Sequence, residues 1–203
     1  AYTSHFLNDK SLAGNGYHEF STIDLVLQPG DKIQVVPAAA GHIDSIVTVA
    51  SQSGYYKLWK GLDRFKMFLY WNGLIPITTS LFGYFPTKKL GLFENLPKKA
   101  TSQWRRWANH PEYMLGEFNR EVTNFDTISC PILVLSFPRD FYAPKPSVDW
   151  LAEQYTKAKV DRRHIIPSDL DIPDVKHFGF FREVFKDSLW KITHDWIKKS
   201  HSN

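Results

Sequence analysis

The sequence predicts an α/β protein with a mainly parallel sheet flanked by helices. Two uninterrupted runs of β-branched and aliphatic residues, 46–51 and 131–137, are typical of strands that are buried on both faces. Helical patterns lie between and after these runs, and the chain closes with a long amphipathic pattern over 180–199. Parallel sheets are built from strands that alternate with helices, so this order of patterns favours the α/β class.

A helix is predicted over 102–108. Trp104 and Trp107 stand three residues apart there, with Arg105 and Arg106 between them. This spacing places both indoles on one helix face and turns the guanidinium groups away, which is the pattern of an amphipathic helix.

Three further elements follow the strand at 131–137. A helix is predicted over 147–156, because Val148, Leu151 and Tyr155 fall on one face. A third short strand is predicted over 163–166. The pattern over 180–199 predicts one long closing helix whose apolar positions keep a period of 3.6 residues.

Residues 67–85 carry no formal charge, and this run of 19 residues is long enough to span a membrane. Polar residues and Pro76 interrupt it, and a proline breaks a helix in its interior. We therefore predict a buried or lipid-facing helical hairpin broken at Pro76, and no transmembrane span. A protein attached to a membrane through this run is an alternative.

Composition excludes several classes of protein. The net charge of +4 comes from scattered basic pairs and no nucleic-acid-binding module is recognisable, so we expect no nucleic-acid partner. The single cysteine, Cys130, excludes an intramolecular disulfide framework.

The histidines lack metal-ligand spacing, so neither a metal nor another cofactor is expected. With one cysteine and no leader-like stretch at its start, the chain is expected to be cytoplasmic.

Two polar residues follow predicted strands at positions where α/β proteins place functional groups. Asp140 comes just after the strand at 131–137, and His177 comes after the third strand. Functional side chains of open α/β sheets collect beyond the carboxyl ends of the strands. A carboxylate and a later histidine in two such loops provide the acid and base that a Ser-His-Asp triad needs, in the chain order of α/β-hydrolases. A turn-capping role for Asp140 and a structural role for His177 remain alternatives.

Several segments resemble a group of predicted α/β-hydrolases that are esterase- or lipase-like. The resemblance covers roughly residues 35–200 and rests on motifs that occur in the same order, at 48–59, 82–92, 103–107, 135–144 and 177–182.

The resemblance implies a serine hydrolase that cleaves an ester or related acyl bond through an acyl-enzyme, with Asp140 as triad acid and His177 as triad base. It implies a discontinuous core, 1–54 and 126–203, and an inserted helical lid over 55–125. Phe, Tyr and Trp make up 15% of the chain and crowd into its middle. We therefore expect the lid to shape a pocket for a small acyl or ester substrate with an apolar portion, formed by Trp59, Phe68, Trp71, Phe82, Phe85 and Trp104.

The sequence departs from the family at the nucleophile. Such enzymes carry their serine in a Gly-x-Ser-x-Gly turn between a strand and a helix, and this sequence contains no such motif. Ser45 and Ser53 lack the required glycine spacing. The flanking pieces of the turn meet near Ile33, so we expect that segments of the natural chain are missing between Ala1 and Ala40. The alternative is a hydrolase-like binding or scaffold protein without catalysis.

Overall fold

A computed structural model describes residues 43–89, 95–118, 120–123 and 125–201. The expected gap between Ala1 and Ala40, and the part of the predicted core that precedes residue 43, lie outside this part of the chain.

A three-stranded parallel sheet organises the fold. Its strands are β1 (Ile46–Val49), β4 (Ile132–Ser136) and β5 (Val160–His164), and β4 lies in the middle. Ile132 is the register partner of Ile46 on one side and of Val160 on the other. The prediction of an α/β protein with a parallel sheet is confirmed.

Strand β4 divides the core into two layers because successive side chains point to opposite faces. Leu133 and Leu135 pack against the C-terminal segment, in a cluster with Phe185 and Leu189. Ile132 and Val134 of β4 point to the other face of the sheet. They pack there against α5 (Lys145–Ala152), mainly against Val148. All five residues of β4 are buried, as the apolar run predicts.

The segment 55–125 forms its own apolar cluster. Its helices are α1 (Gly61–Leu69), α2 (Ile75–Phe82), α3 (Lys98–Ala108) and the short α4 (Arg120–Thr123), with 3₁₀ turns at Tyr56–Leu58 and Tyr113–Gly116. A small antiparallel pair, β2 (Tyr84–Phe85) and β3 (Leu96–Pro97), connects α2 to α3.

The predicted amphipathic helix is found as α3, which begins four residues earlier than predicted. Its predicted apolar face is only partly correct, because the buried residues of α3 are Thr101 and Ala108 whereas Trp104 is exposed. Arg105 is not turned away, since its Nε donates to the carbonyl of Trp71.

The prediction of a hairpin broken at Pro76 is wrong. A π turn, Tyr70–Leu74, joins α1 to α2, and the amide of Ile75 donates to the carbonyl of Tyr70. Proline lacks an amide hydrogen and its ring crowds the carbonyl four residues before it. The wider π turn relieves this conflict, so the chain continues as helix. In the part of the chain that the structure describes, no helix has the length and apolar character needed to cross a membrane.

Two boundaries predicted after β4 are shifted. Helix α5 spans Lys145–Ala152 where 147–156 was expected. Strand β5 spans Val160–His164, three residues before the predicted start at 163. The apolar pattern does not mark the beginning of this strand, because Asp161, Arg162 and Arg163 are charged. Ion pairs satisfy these charges in the folded chain.

The predicted long helix over 180–199 is only partly correct. The α-helix α6 covers Lys191–His201, and it is preceded by 3₁₀ turns at Gly179–Phe181 and Glu183–Phe185 and a π turn at Lys186–Trp190. Phe180 and Phe185 both belong to the core cluster. Five residues of regular α-helix would rotate their side chains apart by about 140°. The extended backbone at Arg182 (φ −84°, ψ 140°) breaks the helix and lets both rings reach the core.

Replacement of Leu133 by alanine should lower the free energy of unfolding by about 2–5 kcal/mol, because this fully buried side chain leaves a cavity in the central strand. The matched control is Leu62→Ala, at a side chain that is 69% exposed. Urea unfolding should show a change within about 0.5 kcal/mol for the control. Equal losses in the two variants would contradict the assignment of β4 as the core strand.

Candidate active site

Asp140 lies in the loop that connects β4 to α5, at the carboxyl edge of the sheet. Its side chain is completely buried. Oδ1 accepts hydrogen bonds from the backbone amides of Tyr142 and Ala143, both at 3.0 Å. Arg139, directly before it, has a left-handed backbone (φ 59°), which turns the chain sharply after the strand. These contacts fix the direction of the second oxygen, Oδ2.

His177 completes an acid–base pair with Asp140. Its Nδ1 lies 2.9 Å from Oδ2 of Asp140, although the two residues are 37 positions apart in the sequence. Lys176, directly before it, also has a left-handed backbone (φ 54°). An ionised carboxylate can only accept, so Nδ1 must donate its hydrogen and Nε2 is the unprotonated nitrogen of the neutral ring. No described residue makes a hydrogen bond to Nε2, which is therefore available as a base within this part of the structure.

Two aromatic rings that the sequence analysis did not single out flank His177. The ring centroid of Phe178 lies 4.6 Å from that of the imidazole in an edge-on arrangement, and the ring of Tyr142 lies at 5.3 Å. They hold the imidazole in place while its side chain stays 22% exposed. Phe178 directly follows His177 and Tyr142 lies two residues after Asp140, so closeness in sequence was the signal that could have identified these rings.

An ion pair connects the two loops of the site. Nε of Arg139 lies 3.3 Å from Oδ2 of Asp174, three residues before His177. The guanidinium is largely exposed, so the pair contributes little energy by itself. It joins the residue before Asp140 to the loop that carries His177.

The segment 55–125 also supports the loop of Asp140. The indole Nε1 of Trp59, a buried residue, donates a 2.7 Å hydrogen bond to the carbonyl of Phe141. This carbonyl directly follows Asp140, so Trp59 acts on the position of the acid from outside the sheet.

The six predicted pocket aromatics fall into two groups. Trp59, Trp71 and Phe85 are buried in the apolar cluster of the segment 55–125, whereas 41–49% of each of the other three, Phe68, Phe82 and Trp104, is exposed. The ring of Phe68 contacts Tyr56, and that of Phe82 contacts Tyr84. Their role in holding a substrate stays a prediction.

A second histidine at the carboxyl edge of the sheet is held by a polar network. Nδ1 of His164, at the end of β5, lies 2.7 Å from Oγ of Ser136, its register partner on β4. Nη2 of Arg162 donates to the same Oγ at 2.6 Å, and the hydroxyl hydrogen is free to be donated to Nδ1 of a neutral His164. Burial, together with the positive charges of Arg162 and Lys145, lowers the pKa of His164 below its ordinary value of 6.5, against an opposing effect of Asp149.

An open pocket of about 370 Å³ adjoins the loop of Asp140. Its wall includes His164, Phe141 and Lys145, together with Asp63 from α1. The pocket therefore lies where the segment 55–125 meets the edge of the sheet. Within the described residues, no three His, Cys, Asp or Glu side chains are grouped to hold a metal ion.

Ser53 follows β1 but is fully buried and used structurally. Its Oγ accepts a 3.3 Å hydrogen bond from the amide of Tyr55, and its own amide donates to the carbonyl of Ser147. These contacts agree with its rejection as a nucleophile on sequence grounds.

Replacement of Trp59 by phenylalanine should lower the free energy of unfolding by about 0.5–1.5 kcal/mol, because the carbonyl of Phe141 loses a part-buried hydrogen bond. The control Trp104→Phe changes an indole that is 46% exposed and should have little effect. Chemical unfolding measures both variants. A Trp59→Phe protein as stable as the wild type would exclude the proposed support of the acid loop.

The lowered pKa of His164 predicts a pH-dependent stability. The unfolded chain binds a proton at this residue more readily than the folded chain, so its contribution to stability is full above pH 6.5 and is lost as the pH falls through the lowered folded pKa. Unfolding of the wild type and of His164→Gln should be compared between pH 7.5 and pH 5. The wild type should lose stability more steeply below pH 6.5 than the variant. Parallel curves for the two proteins would contradict this assignment.

No family model matches the sequence, and no curated protein matches it significantly. A solved structure described as "Est816 as an N-Acyl homoserine lactone degrading enzyme" aligns with the chain at a TM-score of 0.33 and 12% sequence identity. The alignment covers 80% of this chain and 60% of that structure, so the chain spans less than two thirds of it.

Proposed function

We propose that this protein is a serine hydrolase of the α/β-hydrolase fold, which cleaves an ester or related acyl bond with Asp140 as triad acid and His177 as triad base. The observation that carries the proposal is the 2.9 Å contact between Nδ1 of His177 and Oδ2 of Asp140. It lies beyond the carboxyl end of a parallel strand, where catalytic groups of such sheets collect.

The pair has the properties that general base catalysis requires. Nε2 of His177 accepts the proton of a serine hydroxyl as the serine oxygen bonds to the acyl carbon of the substrate. Asp140 stabilises the imidazolium that forms and keeps the ring in the correct tautomer. The imidazolium returns the proton to the leaving alcohol as the acyl–oxygen bond breaks. A water molecule, deprotonated by the same Nε2, then releases the acid and restores the serine.

The proposal places the nucleophilic serine and the oxyanion-binding amides outside the described residues. Two of the three triad members are thus assigned to this part of the chain. Backbone amides that hold the developing oxyanion are each worth roughly 3–4 kcal/mol in such enzymes.

The proposed substrate is a small acyl or ester compound with an apolar portion. Phe178 and Tyr142 provide aromatic surface beside Nε2, and the exposed rings of the segment 55–125 extend the aromatic surface available to a ligand. We propose that this segment acts as the lid of the site, with the pocket formed by the six predicted aromatics.

A second candidate is a hydrolase-like protein that binds a ligand without cleaving it. The specific observation that favours it is the lack of a Gly-x-Ser-x-Gly motif in the sequence. The two candidates differ in one measurable property, the presence of a serine that His177 activates.

A fluorophosphonate probe should label the full-length natural protein, and His177→Ala should abolish the labelling, because the serine is a weak nucleophile without its base. Asp140→Asn should slow labelling by roughly three to four orders of magnitude, since the amide favours the wrong tautomer. Labelling is followed by intact-protein mass spectrometry.

Two variants at exposed positions, His194→Ala and Asp171→Asn, serve as controls and should label at the wild-type rate. No labelling of the folded full-length wild-type protein would reject the hydrolase and favour the binding protein. Labelling that persists in His177→Ala would also reject the assigned roles.

A further inference from the structure

The helical segment from α1 through α2 exposes a continuous row of large apolar side chains. We call these six residues the apolar stripe: Leu62, Phe65, Leu69, Leu74, Ile77 and Leu81. Each is between 38% and 73% exposed. Single exposed apolar residues are ordinary on a protein surface, but a contiguous patch of this kind marks an interaction site.

The π turn aligns the two halves of the stripe. In a regular α-helix each residue adds about 100° of rotation, so Leu62, Phe65 and Leu69 share one face and Ile77 and Leu81 would face about 100° away. A π turn accommodates one extra residue per turn, which removes about that rotation. Both halves therefore lie on one side of the helix over a length of about 28 Å.

The rotation that the π turn removes also keeps the buried face of the helix continuous. Met67, Trp71, Ile75 and Thr79 are all buried, and they recur every four residues through the π turn. The buried face of this helix makes its contacts with the core. The apolar stripe is therefore a second apolar face, on the opposite side of the helix.

The charge around the stripe is strongly positive. Residues 55–89 contain six basic residues and one acidic residue, a net charge of +5, whereas the whole chain carries +4. The remaining 168 residues therefore sum to −1. All six basic side chains are exposed: Lys57, Lys60, Arg64, Lys66, Lys88 and Lys89. The single acid, Asp63, pairs with Lys66 at 2.9 Å.

We propose that the apolar stripe docks on an anionic lipid surface, with the helix lying in the plane of the headgroups. The stripe is preceded in the chain by Lys57 and Lys60 and followed by Lys88 and Lys89, all of them exposed. An apolar helix face combined with basic residues is the arrangement by which amphipathic helices bind such surfaces. Each basic residue near the surface adds electrostatic attraction to acidic headgroups. A second copy of the chain would bind the apolar stripe less well than an anionic surface, because two surfaces with a charge of +5 repel each other. This inference is independent of the proposed hydrolase activity.

Flotation with lipid vesicles tests the proposal on the 203-residue chain. The protein should float with vesicles of phosphatidylcholine and phosphatidylserine, stay unbound with phosphatidylcholine alone, and be released by high salt. The double variant Leu62→Gln/Leu81→Gln should weaken binding by about tenfold or more, because its two side chains are the most exposed of the stripe. Lys57→Glu/Lys60→Glu should weaken binding to the acidic vesicles by at least about tenfold.

Matched controls change the same residue types outside the segment. Ile166→Gln/Leu170→Gln and Lys198→Glu/Lys199→Glu alter exposed positions and should bind like the wild type. Circular dichroism and thermal unfolding verify that each variant is folded.

Three results would overturn the proposal. The first is equal binding by the wild type and Leu62→Gln/Leu81→Gln. The second is a dimer that this variant dissociates, with no vesicle binding, which would identify a second copy as the occupant. The third is a monomer that binds no vesicles, which would mean that another part of the chain covers the stripe.

Discussion

The geometry of the candidate site depends on one buried carboxylate. The side chain of Asp140 has no exposed surface, and burying a charge is tolerated only when its acceptors are satisfied. Oδ1 uses two backbone amides of its own loop, and Oδ2 uses the imidazole of His177. The loop after β4 therefore has little freedom, and the position of His177 follows from that of the acid. Loss of any of these donors would leave the charge partly unpaired in an apolar environment.

Contacts from three parts of the chain hold this carboxylate in place. Strand β4 provides the rigid base, since all its residues are buried and both its edges are paired. Trp59, from the segment 55–125, holds the carbonyl of Phe141 next to the acid. The ion pair of Arg139 with Asp174 joins the loop to the one that carries His177. Changes in the segment 55–125 can thus reach the acid–base pair through the part-buried hydrogen bond of Trp59.

The apolar run of β4 allowed the centre of the sheet to be predicted, because a strand buried on both faces leaves a continuous apolar pattern in the sequence. Strand β1 carries a similar run, although its four residues are only half-buried. Strand β5 has a weaker pattern, since charged residues occupy it and the pair of Arg162 with Asp149 is a tertiary contact that no local pattern encodes. The predicted closing helix began too early, because its apolar period does not reveal the break at Arg182. Asp140 and His177 were predictable from their places after strands. The ring contacts of Tyr142 with His177 and Phe178 were not, because they span 35 and 36 residues and leave no periodic pattern in the sequence.

The tautomer of His177 tests the acid–base pair most directly. Proton–nitrogen NMR of protein with ¹⁵N-labelled histidine, at a pH where the imidazole is neutral, distinguishes a protonated Nδ1 from a protonated Nε2. We expect a hydrogen on Nδ1, shared with Asp140, and an unprotonated Nε2, and we expect Asp140→Ala to remove this preference. A hydrogen on Nε2 in the wild type would exclude His177 as the base, because such a ring could not accept the proton of a nucleophile.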